Sequence, residues 1–195
     1  MKNLHSQYQE RYAKNTTDSI VLRKRYGRFS LLRLLVFLGA TALFILFFNY
    51  SCALATAFSL VFLILFYRFV HWHQKIQYRA LHLEKLATIN ALELKALDHQ
   101  YQDFPSGQEY LQANHAFAPD LDVFGDYSFY QFCCRATTVN GRARLANYFL
   151  EAQEPAKIKF RQNALLELRD RLNWRQNLMA YGIGIKDDPD HLELL

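Results

Sequence analysis

Two apolar runs without a single charged residue limit what this chain can fold into more than any other feature. The runs cover residues 34–48 and 52–67, and only Asn49–Ser51 separate them. A helix that crosses the apolar layer of a membrane needs about 20 apolar residues. Each run reaches that length if it is extended past one arginine, Arg33 or Arg68, whose guanidinium can reach the headgroups. The sequence therefore predicts a two-helix transmembrane hairpin over residues 29–70.

Two other structures could account for such runs in a chain of 195 residues. A cleaved signal peptide would make Ala53-Leu54-Ala55 a cleavage site, but the leader before the first run is long and a second apolar run follows at once. A buried hairpin in a soluble protein would need a larger core than this chain supplies, because large apolar residues occur on all faces. Two membrane helices are therefore favoured.

Basic residues flank both runs, and the connection between the runs carries none. Because positive charges beside membrane helices stay in the cytoplasm, we expect a multi-pass inner-membrane protein with both termini cytoplasmic. Residues 1–28 then form a cytoplasmic basic arm, which we expect to contact anionic lipid rather than DNA phosphates because it adjoins the membrane. The flanking residues are Arg23, Lys24, Arg25 and Arg28 on one side, and Arg68, Lys75, Arg79 and Lys85 on the other.

Residues 71–100 are predicted to continue the second helix as a cytoplasmic stalk. No proline or glycine occurs between Trp72 and Asp98, and one stripe of mostly apolar residues recurs at spacings of three and four. The stripe indicates packing against another helix, since it is too short to argue for a coiled-coil dimer. It consists of Leu83, Leu86, Asn90, Leu94 and Leu97.

Two histidines, His71 and His73, flank Trp72 at the predicted membrane edge. Residues two apart on a helix point away from each other, so we expect no metal ion between them. Trp72 is expected to anchor the helix at the interface between lipid and water.

Residues 101–119 are predicted to form an irregular connection, because they contain Pro105, Gly107 and Pro119. His115 lies in this connection. We expect its ring to bond to the main chain rather than to act in catalysis.

Residues 120–195 are predicted to begin a helical domain, so the fold class is all-α. A strand-like segment at Asp120 precedes a helix that Ser128 caps, and a tight turn with left-handed backbone at Gly141 ends that helix. Pro155 suits the first turn of a later helix. The predicted buried faces are Phe129, Phe132, Cys133 and Ala136; Leu145, Tyr148, Phe149 and Leu150; and Ile158, Leu165, Leu168 and Leu172.

The order of residues in this part of the chain resembles the opening of the core domain of the DNA mismatch repair protein MutS family, in its membrane-anchored type. The resemblance covers roughly residues 114–195, and the family shares an aspartate-leucine pair, a helix-opening serine, a glycine-arginine pair and an arginine-glutamine pair at similar spacing. The matching residues are Asp120, Asp122, Phe124, Gly125, Ser128, Arg135, Thr138, Gly141, Arg142, Leu145, Pro155, Arg161 and Gln162.

The resemblance implies that this chain is the N-terminal portion of a membrane-anchored MutS-like protein, in which the hairpin replaces the mismatch-reading domain. The complete protein would bind mismatched DNA in an ATP-dependent manner, with ATP and magnesium as cofactors, and would dimerise through its ATPase end. The DNA clamp and the ATPase do not lie in these residues, so we expect a truncated gene or a fragment. An alternative is a membrane-tethered helical interaction module without a nucleotide or DNA function.

No catalytic, cofactor or metal residue is predicted in this chain, and whether it is an enzyme stays open. The sequence contains no G-x-x-x-x-G-K-[ST] phosphate loop, and Gly182-Ile183-Gly184 is a lone G-x-G. Phe149-Leu150-Glu151 matches the family's mismatch-reading triplet, but its place in a predicted core helix indicates coincidence. The neighbouring thiols of Cys133 and Cys134 are expected to be reduced.

Overall fold

The structure is a computed structural model that describes residues 4–48 and 52–185. Within these ranges all regular secondary structure is helical and there is no strand, which confirms the predicted all-α class. The elements in chain order are α1 (Leu4–Phe48), α2 (Cys52–Leu97), a 3-10 turn (Gln108–Tyr110), α3 (Phe129–Cys133), α4 (Val139–Leu150), α5 (Pro155–Arg169) and α6 (Leu172–Gly182).

The chain divides into two compact units. One, here called the long-helix unit, comprises Lys14–Glu84, and the other, the small-helix unit, comprises Met1–Ala13 with Lys85–Leu195. Both long helices pass from one unit into the other, since α2 runs without interruption to Leu97.

In the long-helix unit, α1 and α2 contact each other through aromatic rings. Tyr26 stacks on His73 with ring centroids 4.1 Å apart, and Phe29 meets Trp72 edge to face at 5.1 Å. Farther along α1, the ring of Phe37 lies 6.2 Å from a ring earlier in α2, that of Phe66. Positions later in α1 therefore meet positions earlier in α2, so the paired segments run antiparallel. The connection at Asn49–Ser51 lies outside the described residues.

One helix in the described part of the chain is long and apolar enough to cross a membrane, the segment Thr56–Leu97 of α2. Only 6% of its most apolar stretch is buried, whereas the core helix of a soluble protein is mostly buried. The described apolar part of α1, Leu34–Leu46, is shorter. Length and composition thus give a weak indication of membrane association.

The core of the small-helix unit surrounds α3 and α4. Some of its buried residues lie in helices and others in the loops before α3. Side chains from the 3-10 turn and from α4, themselves only half-buried, pack against them. The buried set is Ala118, Val123, Phe124, Tyr130, Cys134 and Ala146.

The predicted strand-like segment at Asp120 is wrong, because residues 119–127 form consecutive turns and bends. Three residues there have positive φ: Asp122 (46°), Gly125 (107°) and Tyr127 (62°). Such residues reverse the chain direction, and the turns let Val123 and Phe124 both enter the core although they are sequence neighbours.

The predicted left-handed turn at Gly141 is also wrong. Gly141 lies in the first turn of α4, and its amide donates to the hydroxyl of Thr138, the N-cap residue, at 3.1 Å. Threonine and asparagine favour helix starts as well as turns, because their side chains bond to nearby main-chain groups. Here the threonine begins a helix rather than ending one.

The buried faces differ from two of the predictions. In α3, Tyr130 and Gln131 are buried whereas Phe129 and Phe132 are exposed. Helix α5 begins with Pro155, as predicted, but contains no buried residue, and Leu172 belongs to the next helix. The physical reason for the first difference is that α3 is only five residues long, so its orientation follows the capping loop rather than an amphipathic period.

Candidate functional site

The polar interior of the small-helix unit begins at the N-cap of α3. The Ser128 hydroxyl accepts from the amide of Gln131 at 3.1 Å, which satisfies one of the free amides of the first turn. The buried Gln131 side chain accepts from the Tyr127 amide at 2.7 Å and donates to the carbonyl oxygens of Phe104 at 2.9 Å and Gln102 at 3.2 Å. One glutamine therefore joins α3 to the connection that precedes it.

Arg135, directly after α3, bonds to α2 and to the end of α3. Its Nε and Nη2 atoms donate to the two carboxylate oxygens of Glu93 on α2, at 2.7 and 3.2 Å. Its Nη1 atom donates to the carbonyl oxygens of Phe132 and Cys134, and the guanidinium lies 3.8 Å above the ring of Phe104. Because a planar guanidinium is needed for all of these contacts, lysine could not replace it.

Tyr130 fills the centre of this core. Its hydroxyl donates to the carbonyl oxygen of Arg142 at 3.0 Å, and its ring packs 5.2 Å from that of Phe124. Burial raises the pKa of the Tyr130 hydroxyl far above its ordinary value, and a hydrogen bond with Cys134 raises it further. The phenol therefore acts as a structural donor rather than as an acid or a base.

A cavity of about 230 Å³ lies beside these residues. Arg142 lines it, and the buried Nε atom of Arg142 has no hydrogen-bond partner among the described residues. The walls come from α2, from the residues around α3 and from the end of α6, and include Ile89, Leu92, Phe104, Arg135, Met179 and Ile183. The cavity is smaller than ordinary ligand pockets of about 300–1,000 Å³.

Two titratable groups of the small-helix unit that lie outside the lining of this cavity, Cys133 and Tyr110, have raised pKa values. Burial raises the pKa of the Cys133 thiol, against a smaller opposite effect of Arg135, so that thiol is protonated at neutral pH. Burial and the charge of Glu109 likewise raise the pKa of Tyr110. These shifts favour neutral packing groups over catalytic ones.

The structure brings together only some of the thirteen residues that carry the resemblance. Phe124, Ser128, Arg135, Thr138, Gly141, Arg142 and Leu145 lie in or beside the core just described, with Gly125 bonded through its amide to Ser106. Asp120 and Asp122 are exposed in the turns, and Pro155 and Gln162 are exposed on α5.

Arg161 on α5 contacts two neighbouring side chains. Its guanidinium lies 3.7 Å above the ring of Tyr148 on α4, and Nη2 donates to the Gln153 side chain at 3.1 Å. This pair links α4 with α5. Tyr148 thereby packs against a cation rather than in an apolar core.

His115 bonds to the main chain, as predicted. Its Nε2 atom lies 3.0 Å from the carbonyl oxygen of Leu150, whereas Nδ1 faces the amides of Phe117 and Ala118 at 3.4 and 3.3 Å. Since Nδ1 must accept from amides and Nε2 faces an acceptor, the neutral tautomer with the proton on Nε2 fits both contacts. His115 thus holds the connection against the end of α4.

Sequence reasoning missed the polar contacts between distant helices. Glu93 was not singled out, although it neutralises Arg135, and Asn90 was treated as part of an apolar stripe. Asn90 is buried and bonded to Gln176 on α6, and Gln176 also accepts from Arg11 on α1. A polar residue in an apolar stripe is the one signal that could have indicated this pairing.

No group of three or more histidine, cysteine, aspartate or glutamate side chains that could hold a metal ion occurs in residues 4–48 and 52–185. Comparison of the chain with protein-family models, with curated proteins and with solved structures finds no match.

Proposed function

We propose that this chain is the membrane-anchored N-terminal portion of a MutS-like protein whose ATPase lies outside these residues. The anchor is a transmembrane hairpin in the inner membrane, made from α1 and α2. Both termini lie in the cytoplasm. The complete protein would bind mismatched DNA in an ATP-dependent manner, contact membrane lipid through the anchor and dimerise only through its ATPase part.

The observation that supports the anchor is the exposure of large apolar side chains along α2. Leu60, Leu63 and Leu65 each expose about 60% of their surface, and neighbouring apolar residues behave alike. Soluble proteins rarely expose an apolar patch of this kind to solvent. The antiparallel ring contacts between α1 and α2 support a hairpin over a single crossing.

Support for the MutS-like assignment comes from the ordered residues of the resemblance. Several of them have local structural roles that ordinary chemistry explains: Ser128 and Thr138 cap helices, Arg135 pairs with Glu93, and Pro155 begins a helix. These roles explain the local structure around the matching residues, and the DNA function rests on the resemblance alone.

The second candidate function is a membrane-tethered helical interaction module without a nucleotide or DNA role. It is favoured by one observation, the large apolar residues exposed on α5 and α6. The nucleotide sequence downstream of Leu195 discriminates the two candidates. A continuing or frameshifted reading frame that encodes a phosphate loop supports the MutS-like protein, whereas its absence supports the interaction module.

Topology is tested with reporters that are active on only one side of the membrane. We expect a fusion after Leu195 and a fusion before Met1 to report the cytoplasm, and an insertion at Asn49–Ser51 to report the opposite side. A fusion after Leu195 that reports the outside would overturn the proposed anchor.

A further inference from the structure

Helices α5 and α6 present an unusual distribution of apolar residues. On α6 the buried residues are Gln176, Ala180 and Gly182, whereas Trp174, Leu178 and Tyr181 expose between 52 and 57% of their surface. These three are spaced four and three residues apart, so they share one face of the helix. The most apolar face of α6 is therefore its outer face.

Helix α5 also exposes apolar residues. None of its fifteen residues is buried, and Leu165 and Leu166 expose 67 and 60% of their surface. Between α5 and α6 lies a groove of about 640 Å³ with three leucines and two arginines among its lining residues: Leu165, Leu166, Leu168, Arg169 and Arg175. A groove with an apolar floor between two helices fits the apolar side of a third helix.

Among the described residues, two arginines and no acidic residue line the groove. Residues 155–182 contain six basic and two acidic side chains, a net charge of +4, and the two acidic side chains form ion pairs, Asp170 with Arg169 and Glu167 with Arg171. The buried Nε atom of Arg175, at the groove, has no hydrogen-bond partner among the described residues. A second copy of this surface would bring like charges together, whereas a carboxylate-bearing partner would neutralise them.

A membrane surface is a poorer fit than a helix. The side chain of Phe160, which exposes 76% of its surface, lies on the side of α5 opposite to Leu165, because the two residues are five positions apart along the helix. A flat lipid surface cannot cover both sides, and it cannot fill a concave groove.

We propose that the groove formed by α5 and α6 is a docking site for an acidic amphipathic helix. The apolar stripe of the partner packs on Leu165, Leu166 and Leu168, and its flanking carboxylates face Arg169 and Arg175. This inference gives the interaction module of the second candidate function its class of partner and rests on that candidate. It does not depend on the membrane anchor.

The test uses the full chain with Trp72→Phe in nanodiscs of neutral lipid, so that Trp174 is the only tryptophan. Two synthetic helical peptides with the same leucine stripe are titrated, one flanked by glutamates and the other by lysines. We expect the glutamate peptide to shift the Trp174 emission to the blue and to bind at least about tenfold more tightly than the lysine peptide, a difference of about 1.4 kcal/mol.

Variants locate the binding. Leu165→Asp and Leu166→Asp should each weaken binding of the glutamate peptide by about tenfold or more. The matched control is Leu121→Asp, which changes an equally exposed leucine outside the groove and should leave binding unchanged. Circular dichroism of each variant checks that the helices are retained.

Four results would overturn the proposal: no binding of the glutamate peptide, equal binding of both peptides, self-association of the chain that Leu166→Asp abolishes, or quenching of Trp174 by brominated lipid. The last two would assign the surface to a second copy or to the membrane. A chain that stays in the membrane but fails to bind the peptide disproves the docking site without affecting the anchor.

Discussion

Asn90 on α2 and Gln176 on α6 form a reciprocal amide pair inside the small-helix unit. The Gln176 amide donates to Oδ1 of Asn90 at 2.8 Å, and the Asn90 amide donates to Oε1 of Gln176 at 3.4 Å and to the Leu86 carbonyl at 2.7 Å. Arg11 on α1 also donates to Oε1 of Gln176, at 3.2 Å. Three helices that are distant in sequence are thus joined at one buried point.

Removing both members of this pair should cost less than the sum of the two single removals. Gln176→Leu leaves the buried side-chain oxygen of Asn90, Oδ1, without its donor. We expect a loss of about 1–3 kcal/mol of unfolding free energy. The double variant Asn90→Leu with Gln176→Leu should lose less than the two single losses combined. Chemical denaturation measures these values, and the control Asn163→Ala, on the exposed surface of α5, should change little. Strictly additive losses would contradict the pairing.

Gly107 should tolerate substitution less well than Gly141. Gly107 has φ of 70°, and an added β-carbon would lie 2.6 Å from the ring of Tyr130. We expect Gly107→Ala to destabilise the small-helix unit by about 2–4 kcal/mol.

Gly141→Ala is the comparison for Gly107→Ala. An added β-carbon at Gly141 would lie 2.9 Å from the Thr138 hydroxyl, but the helical backbone favours alanine, so the net change should stay within about 1 kcal/mol. Thermal unfolding of both variants decides the matter. A larger decrease in melting temperature for Gly141→Ala than for Gly107→Ala would contradict the backbone conformations of these two glycines.

The small-helix unit should lose stability at alkaline pH because of Tyr130. The pKa of its hydroxyl is raised in the folded state, so the unfolded chain releases the proton first, near the ordinary value of 10.0. The resulting stabilisation is fully present below that pH and is lost as the pH rises towards the folded pKa. Unfolding free energies measured on both sides of pH 10 should therefore fall less steeply for Tyr130→Phe. Equal slopes for the two proteins would be inconsistent with a buried phenol.

The chain by itself should neither hydrolyse ATP nor prefer mismatched over paired DNA. Hydrolysis needs main-chain amides and a lysine around the phosphates, and the sequence has no phosphate loop. Phe149 of the Phe149-Leu150-Glu151 triplet packs against the core, so it is not available to insert into DNA.

A purified sample in detergent tests both statements by ATP turnover and by titration with mismatched and paired duplexes at physiological salt. Weak, salt-sensitive binding to either duplex would be compatible with the basic side chains, such as Arg144. Turnover above background, or a tenfold preference for the mismatch, would show that this prediction is wrong.

Local chemistry explains which parts of the fold could be predicted from the sequence. The helical class, the cap at Ser128, the start of α5 at Pro155 and the main-chain bonds of His115 all depend on neighbouring residues, and the structure confirms them. The turn residues before α4 were misread, because threonine and asparagine favour a helix start as much as a helix end.

The contacts of the candidate site could not be predicted, because they join residues far apart in the chain. Arg135 meets Glu93 forty-two positions away, and Asn90 meets Gln176 eighty-six positions away. Neither spacing follows from a helical period. The exposed face of α5 was likewise predicted to be buried, since periodicity locates an apolar stripe but does not show what covers it.

Carbonate extraction of cell membranes tests the central claim, that the chain is an integral membrane protein, most directly. We expect the protein to stay in the membrane pellet at alkaline pH and to be released by detergent. Leu63→Asp, in the exposed apolar part of α2, should weaken insertion because a charge at the centre of a membrane helix costs about 2.5–3.5 kcal/mol, whereas Leu178→Asp should not. Complete release of the unmodified protein by carbonate would contradict the account.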